Sequence, residues 1–64
     1  MTVEEAKAAF MSGEGVTYQG IEYKCISALI YRRREGHVEM TLELLDRRAN
    51  SVTIASRDKV ETLK

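Results

Sequence analysis

His37-Val38-Glu39-Met40-Thr41-Leu42-Glu43-Leu44-Leu45 is the stretch that decides the fold of this chain. Val38, Met40, Leu42 and Leu44 alternate with Glu39, Thr41 and Glu43, so an extended backbone over 37–45 turns one face to an apolar core and the other to water. Downstream, Asp46-Arg47-Arg48-Ala49-Asn50 reads as a turn. Val52 and Ile54, flanked by Ser51 and Thr53, then give a short strand over 51–55. Upstream, Arg33-Arg34-Glu35-Gly36 forms another turn, with Gly36 at its left-handed position.

A long strand over 21–32 precedes that turn, and its apolar phase slips. Ile21, Tyr23 and Cys25 lie on one parity, whereas Ile26, Ala28 and Ile30 lie on the other. A strand that changes its buried parity bends or carries a bulge. Leu29 and Tyr31 continue the first parity and are expected to line a second surface, which makes them the candidate self-association residues. Val16 and Tyr18 begin an earlier strand over 16–19, joined to the next by a tight hairpin at Gln19-Gly20. Only if that loop were four residues long would Tyr18 face Tyr23.

The ends of the chain are also legible. Thr2-Val3-Glu4-Glu5 is a capping box, so a helix over 2–12 starts there, with Val3, Ala6 and Phe10 as its apolar stripe and Gly13 and Gly15 beyond its end. Ser56-Arg57-Asp58-Lys59 supports a single helical turn before a last strand over 60–63. The expected class is mainly β (α+β): one domain over 1–64, with a short N-terminal helix followed by a five-stranded antiparallel, partly open small barrel or strongly bent meander.

This order resembles the Src-homology and Sm type of small barrel, including the leading helix of the Sm group and the short turn before the last strand, here Ser56 to Lys59. The glycine and asparagine signature by which Sm-type proteins bind RNA is absent from the sequence, so no RNA-binding residues carry over. The texture of the chain is also similar to small reading frames of bacterial prophages and mobile elements, which implies a phage-related bacterial origin.

Ten basic residues balance ten acidic ones over 64 positions, so no long-range attraction to a polyanion is built into the whole molecule. The lone cysteine, Cys25, cannot form an internal disulfide, which points to a reducing, cytoplasmic setting. No cationic leader precedes an apolar run, and no stretch approaches the roughly 18 apolar residues of a membrane span, so no membrane partner is expected.

Residues suited to chemistry are few. His37 and Cys25 fall short of the three or four ligands of a zinc site. Ser27, His37 and Asp46 supply the residue types of a triad without a strained nucleophile turn or an oxyanion loop. Gly13, Gly15 and Gly20 match no phosphate-loop spacing. The sequence therefore predicts no enzyme, no cofactor or metal, and no small-molecule substrate.

The arginines carry the strongest functional signal. Arg33, Arg34, Arg47 and Arg48 are the candidate polyanion-binding residues, since forked guanidinium groups suit phosphates, and Tyr18, Tyr23 and Tyr31 offer faces for stacked bases. Two features oppose this. The strand from His37 to Leu45 separates the two arginine turns by roughly 30 Å if straight, and Glu35, Glu39, Glu43 and Asp46 stand ready to pair with them. The expected function is a non-catalytic interaction or assembly module with a protein partner or a second copy. The alternative is a nucleic-acid-binding barrel using its arginine-rich turns.

Overall fold

A computed structural model describes residues 1–63. The helix, α1, spans Val3–Ser12 and starts at the capping box, where Thr2 Oγ1 accepts from the Glu5 amide at 3.1 Å and Glu5 Oε1 accepts from the Thr2 amide at 2.7 Å. These two bonds satisfy amides that the first turn leaves without intrahelical partners. Gly13, in the left-handed conformation, ends the helix. Ala6 and Ala9 are fully buried, and Phe10 packs beside them. Small residues on the inner stripe let the helix lie close against the sheet, where its neighbour is β3.

Six strands follow: β1 Val16–Tyr18, β2 Ile21–Tyr23, β3 Cys25–Arg34, β4 His37–Leu45, β5 Val52–Ser56 and, after a 3-10 turn over Arg57–Lys59, β6 Val60–Thr62. They form two three-stranded antiparallel sheets, ordered β2-β1-β6 and β3-β4-β5. The expectation of five strands is corrected because the segment read as one strand over 21–32 is two. The chain leaves the first sheet at Lys24 and enters the second at Cys25, with the Lys24 amide still donating to the Leu45 carbonyl at 2.9 Å. The later strand also runs on to Arg34, since Arg33 and Arg34 pair with Val38 and His37.

Both tight turns follow from consecutive residues with positive φ. Gln19 and Gly20 stand at 53° and 76°, and Glu35 and Gly36 at 50° and 85°, the pattern of the two-residue type I′ hairpin. The first loop is the tight hairpin expected at Gln19-Gly20, two residues long. Tyr18 faces Ile21 while Tyr23 faces Val16, so the two tyrosines are not cross-strand partners.

The expected phase slip is a bulge at Ser27. Ile26 pairs with Leu44 and Ala28 with Glu43, leaving Ser27 as the extra residue. Past it, Leu29 lies opposite Leu42 and Tyr31 opposite Met40, on the same face as Ile26. The earlier grouping of Ile26 with Ala28 and Ile30 is corrected accordingly, because one extra residue moves every later side chain to the opposite face. The core gathers Ala6, Ala9, Val16, Tyr23, Ile26, Leu42, Leu44, Ala55 and Val60, with Leu29 and Met40 packed against it.

Candidate interaction surface

The sheet β3-β4-β5 has an outer face that its register defines. Cys25, Leu45 and Val52 form one row across the three strands, Ala28, Glu43 and Ile54 the next, and Ile30, Thr41 and Ser56 the third. Most of these side chains are apolar. Val52 and Ile54 are each 51% exposed, and neither Leu45 nor Ile30 is among the side chains packed on the core. The one carboxylate in this field, Glu43, accepts from Ser27 Oγ at 2.7 Å, so the bulged residue also satisfies the charge beside it.

The inward face of β5 is small by comparison. Ala55 is buried opposite Leu42, and Thr53 is half-buried opposite Leu44. Sequence alternation marks Val52 and Ile54 as the apolar parity of this strand, yet the opposite parity meets the core. The loop over residues 46–51 fixes that register. Asp46 accepts from the Asn50 amide and from Ser51 Oγ, both at 3.0 Å, and Ala49 takes a left-handed φ of 58°. The Asn50 amide is the main reason the Asp46 carboxyl is held below its ordinary value. A loop of fixed shape delivers Ala55, not Ile54, across from Leu42.

The other end of β3 and β4 projects as a ribbon. Every residue from Tyr31 to Glu39 is exposed, and nine residues of β4 at about 3.3 Å each run nearly the 36 Å length of the molecule. Arg32, Arg33 and Arg34 lie near its tip. Arg34 Nε stands 3.3 Å from Glu39 Oε1, an exposed pair.

Arg47 and Arg48 lie in the loop beyond the far end of β4. Arg47 Nη1 meets Glu22 Oε1 at 2.8 Å, tying that loop to β2. Arg57 turns inward, where Nη1 donates to the Met1 carbonyl at 2.7 Å. Among the described residues, Arg32, Arg33 and Arg48 have no ion pair. The candidate polyanion residues therefore fall into two groups at opposite ends of β4, one member of each paired with a carboxylate. Of the candidate self-association residues, Leu29 packs on the core and Tyr31 is 54% exposed.

Among the described residues, no three of His, Cys, Asp and Glu come together as a metal site requires, and no helix is long and apolar enough to cross a membrane. Val52 and Ile54 are the surface residues that sequence reasoning missed. The signal that points to them is the lack of any charge from Ser51 to Ser56. No known protein family matches the chain, and no curated protein or solved structure shows significant similarity to it.

Proposed function

We propose that this chain is a small non-catalytic interaction or assembly module that works through the outer face of β3-β4-β5. The observation that carries this reading is the exposed pair Val52 and Ile54 on the edge strand β5, with Leu45 beside Val52 on β4. Half-exposed aliphatic side chains contiguous across a sheet gain free energy when a partner covers them. The divided arginines support the same choice, since two small cationic groups separated by a whole strand and partly paired do not focus a field. The order of elements supports viewing the two sheets as halves of a partly open barrel of the Src-homology and Sm type. The lone cysteine supports a reducing, cytoplasmic setting.

One observation favours a second reading. A two-stranded ribbon fits the major groove of DNA, and the β3-β4 tip carries three consecutive arginines. Light scattering at rising concentration, run beside titration of random single- and double-stranded probes at low salt, separates the two readings. A mass above one chain, with no probe bound, supports the assembly module. A constant single-chain mass, with probe binding that Arg33→Gln and Arg34→Gln abolish, replaces it with nucleic-acid binding.

A further inference from the structure

The free edges of the two sheets differ in how they are protected. The β2 edge is three residues long and carries Glu22, held by Arg47; the β6 edge is equally short and carries Glu61. The third edge, β3, is bulged at Ser27, has α1 against it and ends in three arginines. Short length, charge, bulges and covering helices are the devices by which proteins keep sheet edges from pairing. β5 has none of them. Val52-Thr53-Ile54-Ala55-Ser56 contains no charge, no proline and no bulge, and its single neighbour is β4.

We propose that two copies of this chain pair antiparallel through β5 about a two-fold axis, joining their β3-β4-β5 sheets into one six-stranded sheet. This rests on the assembly reading above and names its partner, which adds to the sheet at the β5 edge and meets Val52 and Ile54 at the seam. A two-fold axis normal to the sheet sets the strand against its own reversed sequence and keeps both outer faces on one side. The register that matches apolar with apolar puts Val52 of one copy beside Ile54 of the second, and Thr53 beside Thr53. Four aliphatic side chains then form a continuous patch over the seam, and the paired threonines lie on the inner face.

The strand's own pattern selects a second copy as the occupant: set against its reversed sequence, β5 matches Val52 with Ile54, and no charge opposes the pairing. No like charges meet in the paired strands, because β5 has none, and two molecules of zero net charge do not repel at long range. In this register three residues of each β5, Val52 to Ile54, lie opposite one another, a small seam in the class of weak associations burying less than about 1,200 Å². The dimer therefore grows in with concentration.

Sedimentation equilibrium on the wild type, Ile54→Lys and Ile21→Lys tests this, each variant first checked for native amide spectra. Ile21 is 56% exposed on β2 and serves as the control. The wild type and Ile21→Lys should approach a two-chain mass as concentration rises to about 1 mM, while Ile54→Lys weakens association about tenfold or more. Isotope-filtered NMR on mixed labelled and unlabelled wild type should show contacts between Val52 and Ile54 methyls of different chains. Association that Ile54→Lys leaves unchanged, or a mass above two chains, overturns the β5 seam and leaves the assembly reading standing. A wild type of single-chain mass throughout overturns self-pairing altogether.

Discussion

Ser27 donates its hydroxyl to Glu43 across the one irregular step of the β3-β4 ladder, 2.7 Å from Oε2 and 3.2 Å from the carbonyl oxygen. The residue that shifts the phase of β3 is thus also the residue that satisfies the carboxylate in the middle of the outer face. Both the composition of the core and the exposure of the surface depend on this position.

Ser27→Ala keeps the extra residue and removes the donor, so the native sheet should persist with stability lower by about 1–2 kcal/mol, measured by urea denaturation. Deleting Ser27 joins the pair Ile26 and Leu44 directly to the pair Ala28 and Glu43 in an unbroken ladder. Leu29 then stays on the core side and Ala28 and Ile30 stay outside, so the deleted chain should keep its cooperative unfolding transition.

Leu42 is fully buried, whereas Ile54 is half-exposed on the neighbouring strand. Leu42→Ala should cost about 2–5 kcal/mol, a large fraction of the stability of a domain this small. Ile54→Ala should change the unfolding free energy of the monomer by less than about 1 kcal/mol. Denaturation at low concentration, where the seam is empty, gives both values.

Two carboxyls titrate below their ordinary values and set a pH response. Glu5 is lowered from 4.5, chiefly by the Thr2 amide, and Asp46 from 3.8, chiefly by the Asn50 amide. A depressed folded-state value means a contribution fully present above the ordinary value and lost as pH falls through the lower folded one. The amide resonances of Thr2 and Asn50 should therefore shift with midpoints below 4.5 and 3.8. Thr2→Ala removes the hydroxyl but keeps the Thr2 amide, so it should return the Glu5 midpoint only part of the way to its ordinary value and leave that of Asp46 in place.

Arg33→Gln together with Arg34→Gln should leave both stability and association nearly unchanged. The Arg34 pair with Glu39 is exposed on both sides, a class worth about 0–1 kcal/mol, and neither residue lies near β5. Thermal unfolding and light scattering on the double variant check this.

Local chemistry made much of the architecture legible. Thr2 and Glu5 announce the helix start, Gly13 its end, Gly20 and Gly36 the tight turns, and Val38 to Leu44 the half-buried strand, because each signal acts within a few residues. The break at Lys24 was not legible. Both flanks are extended and apolar, and only the packing of one sheet on the other divides them. The slip after Cys25 did announce an irregularity, but not that Ser27 would be the residue left over, which depends on pairing with β4.

The surface was harder to read than the elements. The parity of β5 depends on where the loop over residues 46–51 delivers it, and the hydrogen bonds of Asp46 that fix the loop form only in the folded chain. The alternation that marks Val52 and Ile54 as a strand therefore does not tell which way they face, although the sequence does record the absence of charge in the strand. The arginine turns were legible as turns, and their separation followed from the length of β4. That Arg47 would meet Glu22, distant in sequence, required the two sheets to be in place.

Amide hydrogen exchange in β5, followed at low and at high protein concentration, tests the central claim most directly. If the strand pairs with its counterpart in a second copy, its outward-facing amides should exchange freely in dilute solution and gain protection as concentration rises, while those of β4 stay equally protected throughout. Exchange in β5 that does not change with concentration would contradict the account.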